Sequence, residues 1–178
     1  MNTEFFKEMK QFLKLTDEDA TNMKAMGPTL LASVDKITDA FYDHLTKQPA
    51  TKKFLPDDAT INRLKATHKK WFGELFTGVY DDKYFESRTK IGVVHVRVGI
   101  HPEYVDGIMS QIEQDASAVL ISSFPPDQAA KYVKSLLKVL DLDLTIINQA
   151  YEQERLNRLV EGTGLTRNLL ETFINQAK

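Results

Sequence analysis

Two histidines stand on the apolar stripes of consecutive predicted helices. His68 lies four residues after Leu64 and three before Trp71. His95 lies four after Ile91 and three before Val98. Each therefore shares a helix face with core-type side chains rather than solvated ones. A lone inward histidine is more often a core residue held by a hydrogen bond than a metal ligand. Two of them, on helices joined by the short turn at 78–82, shift that balance. At 1.5 Å per residue from the turn, His68 is about 15 Å and His95 about 20 Å along its helix. At such similar depths, two imidazoles can approach one metal from opposite sides.

The surrounding residues decide which metal site this can be. Zinc takes four N, S or O ligands, and the chain has no cysteine and no His-Glu-x-x-His pattern. A di-iron bundle needs Glu-x-x-His on its helices. The residues three before His44, His68, His95 and His101 are Phe41, Lys65, Gly92 and Val98. The lack of cysteine also excludes iron–sulfur clusters and thiolate-ligated heme. Imidazole-ligated heme needs only one or two axial histidines and an apolar slot. Phe41, Leu64, Trp71, Phe72, Ile91 and Val94 can supply that slot. Gly92, one turn before His95, has two readings: it lets a flat macrocycle lie close to the helix backbone, or it lets two helices pack closely. Trp71, Phe72 and Phe76 follow the helical stripe as core and pocket wall. His44 reads as a surface or partly buried residue, and His101, before Pro102, as a turn residue.

The elements that must position these groups are helical. The 178 residues, 42% hydrophobic and 27% charged, fit one globular domain with room for a core around a small cofactor. Phe5, Phe6, Met9, Phe12 and Leu13 mark a short amphipathic helix. Thr16-Asp17-Glu18-Asp19 opens a second helix, which Gly27-Pro28 is expected to end. A third follows from about Pro28 to Thr46. Asp57-Asp58 starts the helix of His68. The helix of His95 closes at Gly99, and Pro102 begins its successor. Phe124-Pro125-Pro126-Asp127 precedes the longest helix. About eight helices and no convincing strand result, an all-α class. A net charge of -2, with Lys and Arg scattered, disfavours nucleic acid. No segment has the length and apolarity of a membrane span, and the start lacks a signal-peptide pattern. A soluble cytoplasmic protein is the expectation.

The segments Phe41-Tyr42-Asp43-His44-Leu45, Leu64-Lys65-Ala66-Thr67-His68 and Ile91-Gly92-Val93-Val94-His95-Val96-Arg97-Val98-Gly99-Ile100-His101-Pro102-Glu103-Tyr104 resemble, in this order, the sensor-globin domain of globin-coupled sensors and protoglobins. The His-x-Arg-x-Gly part is the most specific. The resemblance implies a globin-like fold with an extra N-terminal helix, and b-type heme bound through His95. It also implies a distal tyrosine at Tyr42, with Leu64 and Thr67 lining the same pocket. His68 departs from relatives with an apolar residue near this place. Either it fills the sixth axial position, as in family members with two-histidine coordination, or it hydrogen-bonds a bound ligand or a propionate.

The longest helix carries Val133, Leu137, Leu140, Leu144, Ile147 and Tyr151 in steps of three and four, an a/d seam. That seam is either intramolecular core or a homodimer contact, and the resemblance favours the dimer. Residues 1–160 read as the sensor globin and 161–178 as the start of a connector to a C-terminal output domain. A sensor of O2, CO, NO or redox state accounts for pocket, seam and tail together. A heme enzyme, of nitric oxide dioxygenase or peroxidase type, would need a reductase partner or an open distal site, and the chain has no Gly-rich nucleotide fingerprint; an electron-transfer globin would leave the tail unexplained. No catalytic residue is assigned.

Overall fold

The computed structural model describes residues 3–176. Among them are nine α-helices and one 3-10 turn, with no strand. They are α1 (Thr3–Phe12), α2 (Asp17–Ala32), α3 (Val34–Lys47), α4 (Pro49–Lys52), α5 (Asp58–Glu74), the 3-10 turn (Leu75–Thr77), α6 (Asp82–Val98), α7 (Pro102–Ser123), α8 (Pro126–Thr163) and α9 (Arg167–Gln176). The short α4, headed by Pro49, is the element that periodicity does not reveal.

Side-chain caps explain several of these starts. Thr16 and Asp19 form a reciprocal capping box at α2, while Asp57 accepts from Thr60 N–H at α5 and Asp81 from Tyr84 N–H at α6. The expected stop at Gly27-Pro28 is not where α2 ends. The helix continues to Ala32 with Pro28 inside it. A mid-helix proline costs about 3 kcal/mol through its missing N–H and ring clash. Here it is flanked by Met23, Met26 and Leu30, all fully buried, and that burial outweighs the local penalty. The break falls instead at Ser33, whose N–H turns back to the Leu30 carbonyl.

The main core joins α2, α5, α7 and α8 through Met23, Met26, Leu30, Phe72, Met109, Ile112, Leu120, Leu136, Val139 and Leu140. The N-terminal helix α1 lies outside this core and is held by a second cluster, in which Phe6 stacks on Phe85 at 5.1 Å and meets Tyr84, Leu142 and Ile146. Leu140, Ile147 and Tyr151 of the a/d seam are buried within the chain, so they serve its own core. Val133, Leu137 and Leu144 are half-buried. At its far end α8 runs unbroken to Thr163 and is capped by Gly164, after which α9 has no buried residue.

How α6 packs governs the direction of His95. Its buried residues, Phe85, Arg88, Gly92 and Val96, recur at helical spacing and face α8. A Cβ placed on Gly92 would sit 2.5 Å from the Ile147 carbonyl oxygen and 2.7 Å from Ala150 Cβ. Close packing of two helices therefore accounts for this glycine. The neighbouring face, Ile91, Val94, His95 and Val98, has a different fate. Val94 and Val98 are 45% and 52% exposed, whereas Ile91 and His95 are half-buried toward α8, so only the outer part of the stripe expected to point into the core is uncovered. The helix of His68, α5, packs on α3, whereas α6 packs on α8.

Gly92→Ala should destabilise the fold by about 1 to 3 kcal/mol, because neither the Ile147 backbone nor Ala150 has room to yield. Gly107, in mid α7 with nothing within 4 Å of an added Cβ, should respond oppositely. Gly107→Ala should stabilise by roughly 0.5 to 1 kcal/mol. Urea midpoints of the two variants decide it; an equal response at both sites would contradict the packing described.

Candidate functional site

His68 sits among four aromatic side chains from two helices, α3 and α5. Its ring lies 4.4 Å from Phe41, 5.2 Å from Trp71 and 6.5 Å from Phe72, with Tyr42 edge-on at 6.1 Å. Nδ1 is 3.0 Å from the hydroxyl of Thr38, itself fully buried one turn before Phe41 and Tyr42. Nε2 is buried and has no hydrogen-bond partner among the described residues. A buried ring nitrogen left unpaired costs free energy, so its survival in an otherwise satisfied cage points to an absent partner. Burial lowers the His68 pKa to about 4, which keeps the imidazole neutral near pH 7. Neutral imidazole is the form that ligates metal.

His95 is prepared in the same way from a different neighbourhood. Its Nδ1 is 2.7 Å from the Ile91 carbonyl, one turn back on α6. An imidazole facing a carbonyl can only donate there, so Nδ1 carries the proton and Nε2 holds the lone pair. Burial lowers the pKa of His95, and the Ile91 carbonyl pulls it back up. Its ring centroid is 6.3 Å from that of Tyr151 on α8, whose hydroxyl donates to the Ile100 carbonyl.

The sequence-predicted residues thus fall into two groups. Phe41, Tyr42, His68 and Trp71 form one aromatic cluster. Ile91 and His95 are half-buried beside α8 and Val94 is exposed next to them, with Gly92 turned toward α8. Tyr42 is buried, its phenol pKa pushed up to about 12 by desolvation, and its hydroxyl makes no hydrogen bond among the described residues. It remains a proton donor at neutral pH without a partner. Leu64 is half-buried on α5. Thr67 is exposed, and its hydroxyl is turned back to the Arg63 carbonyl. His44 is exposed, and His101 is an exposed N-cap position beside Glu103.

Three participants escaped sequence reasoning. Thr38 carried no signal beyond its place one residue after Ile37 on a helix. Arg88 and Asp143 did carry one. Arg88 lies on the stripe of Phe85 and Gly92, and Asp143 stands between Leu142 and Leu144. Both are almost completely inaccessible, at 1% and 0% exposure. Arg88 Nε donates to both Asp143 oxygens at 3.1 and 3.2 Å, and the Arg88 guanidinium also pairs with Glu74. Trp71 Nε1 donates to Asp143 at 2.7 Å, and the Tyr84 hydroxyl donates to its other oxygen. Burial pushes the Asp143 carboxyl up, while Arg88, Tyr84 and Trp71 pull it down. Among the described residues no group of three or more His, Cys, Asp or Glu side chains could hold a bare metal ion. His68 and His95 thus stand as two neutral imidazoles in separate neighbourhoods, each beside apolar side chains; imidazole with apolar walls suits a macrocycle-borne metal better than a free ion. No helix among the described residues is long and apolar enough to cross a membrane.

Comparison with known proteins places this architecture. The globin domain of a globin-coupled sensor from Geobacter sulfurreducens is 35% identical, with a TM-score of 0.78, and covers 82% of this chain and 96% of its own. The globin domain of E. coli DosC, in its ferrous crystal form, is 15% identical with a TM-score of 0.72 over 82% of this chain and 99% of its own, a likeness of fold alone. A heme-based aerotactic transducer, HemAT, of Halobacterium salinarum is 26% identical over 159 residues, 83% of this chain. This chain spans only 32% of that relative's length. Residues 2–157 match the protoglobin family, and with the all-helical order and the extra helix α1 in agreement, the chain belongs to the protoglobin family.

Proposed function

We propose that this domain binds b-type heme between α5 and α6, with His95 and His68 as its two axial ligands, and senses a diatomic gas (O2, CO or NO) or redox state. The observation that carries the reading is the matched pair of imidazoles. Each has its Nδ1 engaged, by Thr38 or by the Ile91 carbonyl; Nε2 of His68 is buried and unpaired, and Nε2 of His95 makes no hydrogen bond among the described residues. Heme would supply a redox-active iron able to take a small gaseous ligand. The name of the Halobacterium relative, a heme-based transducer, supports the same reading.

Each residue then has a stated task. The Ile91 carbonyl fixes the His95 tautomer and raises the basicity of Nε2. Thr38 fixes the orientation of the His68 ring. Val94, Val98 and Ile91 on one side, with Leu64 and Phe41 on the other, supply apolar walls that exclude water. Tyr42, protonated and unpartnered, can donate a hydrogen bond to a bound ligand. With His68 in the sixth position, an external ligand competes with a side chain, and its apparent affinity falls by the fraction of molecules whose site is open. The globin unit of residues 1–160 would pass its state through residues 161–178 to a C-terminal signalling domain. The homodimer that accompanies this reading would use the outer side of α7 and α8, where Leu137 is half-buried outside the core clusters and Ile121 is 65% exposed.

His95→Ala should lose stable heme incorporation, read from the ratio of heme to protein absorbance; unchanged heme content and spectra would remove His95 from the site. The ferric wild type should be mainly low-spin near pH 7. His68→Ala should turn it high-spin and speed carbon monoxide association with the ferrous form by about tenfold or more. Thr38→Val should move both readouts in the same direction by less. If His68→Ala leaves spectrum and rate untouched, His68 is a pocket residue only.

Sedimentation should report a wild-type dimer that Leu137→Glu converts to a folded monomer, since a charge in an apolar contact is costly unless it reaches water. A wild type that is monomeric at all concentrations would return Leu137 to the ordinary surface.

A further inference from the structure

Trp71 contacts both the His68 ring and the buried Asp143 carboxylate. One face of its indole packs on the His68 ring at a centroid distance of 5.2 Å, and its Nε1–H donates to Asp143 of α8 at 2.7 Å. His68 thus packs against both Trp71 and Phe41, with Nδ1 held by Thr38. Movement of its ring toward the indole would displace Trp71. The indole cannot move without giving up a hydrogen bond to a buried carboxylate. Hydrogen bonds to ionised groups are roughly twice as strong as neutral ones, and a carboxylate stripped of one donor in a dry interior finds no water to replace it.

The anchor at the other end is firm. Asp143 is fixed by Arg88 from α6 and by the Tyr84 hydroxyl, and Arg88 lies 3.9 Å above the Tyr84 ring. Arg88 also stands two helical turns before His95 on the same helix. The carboxylate of Asp143 thus brings α8 into contact with both histidine-bearing helices, through Trp71 on α5 and through Arg88 on α6, and Arg88 also reaches α5 directly at Glu74 and the Trp71 carbonyl.

We infer that Asp143 is a positioning residue for the sixth ligand: through the Trp71 indole N–H it holds the His68 imidazole in place, and α8 thereby sets how readily His68 leaves. This rests on the reading of His68 as an axial ligand. Neither Asp143 nor Trp71 contacts the ligand itself. Their effect passes through the orientation of the His68 ring, so weakening the anchor enlarges the open fraction of the site.

The test uses the heme-loaded protein. Trp71 is the only tryptophan of the chain, so one indole N–H resonance in the ferrous, diamagnetic protein reports the anchor directly. It should lie downfield in the wild type, vanish in Trp71→Phe and move upfield in Asp143→Asn. Trp71→Phe keeps an aromatic ring against His68 but removes the N–H, and it leaves the Asp143–Arg88 pair intact in case Asp143→Asn folds poorly. Both variants should raise the high-spin fraction of the ferric form and speed carbon monoxide association, by up to about tenfold, with the double variant no faster than the faster single one. A general loosening of the core would instead add the two effects. In His68→Ala background neither substitution should change the rate.

A wild type that is high-spin in the ferric state removes His68 as ligand and this inference with it. A low-spin wild type whose spectrum and rate are unmoved by Trp71→Phe overturns the inference alone, leaving the axial role of His68 standing. Additive effects in the double variant, or effects that persist without His68, overturn it as well.

Discussion

The approach of α6 to α8 at Gly92 fixes the rotation of α6, and almost every feature of the site depends on that rotation. With no side chain at this position, the α6 backbone comes within a methyl group's width of Ile147 and Ala150. Phe85, Arg88 and Val96 are then committed to the α8 side. By helical geometry, a quarter turn away, Ile91, Val94, His95 and Val98 must lie beside that contact rather than within it. An alanine-sized residue would shift the helix and turn the whole face, His95 included. The glycine one turn before His95 acts on the candidate site from behind.

Apolar packing alone would specify this rotation loosely, since hydrophobic contact is non-directional. The buried pair Arg88–Asp143 adds direction. Burying an ion pair gains little stability, because desolvation offsets most of the attraction, but leaving one member unpaired is strongly unfavourable. The arrangement of α5, α6 and α8 that satisfies Asp143 with Arg88, Trp71 and Tyr84 together is accordingly narrow. Specificity of arrangement, more than net stability, is what such a network contributes. Its placement between the two histidine helices fixes how α5 and α6 sit on α8.

Much of this was legible in the residues themselves. The two histidines announce themselves by sharing stripes with Leu64, Trp71 and Ile91, and the caps at Thr16, Asp57 and Asp81 stand at helix starts in plain view. Which side of α6 is core was not legible. Ile91, Val94, His95 and Val98 form as good an apolar stripe as Phe85, Gly92 and Val96, and periodicity cannot rank two apolar faces on one helix. Pro28 misled for a related reason: local propensity marks a stop, and only the tertiary burial of Met26 and Leu30 overrides it. The seam of α8 was real as a pattern, yet Leu140 and Tyr151 use it inside their own chain. Thr38 could not be read at all, because a threonine on a helix becomes informative only once its hydroxyl is seen against a histidine nitrogen.

The unbroken length of α8 has a mechanical side. Asp143 lies near the middle of this 38-residue helix, and the stretch from there to Thr163 is about 30 Å at 1.5 Å per residue. Over such an arm a tilt of about 5° at the Asp143 end carries the far end roughly 2.5 Å, by the same helical rise. No glycine or proline interrupts the helix between Asp143 and Glu161, so bending would not absorb the movement along the way. A displacement too small to disturb core packing around Asp143 would reach α9 amplified, as a shift comparable to the spacing between neighbouring side chains.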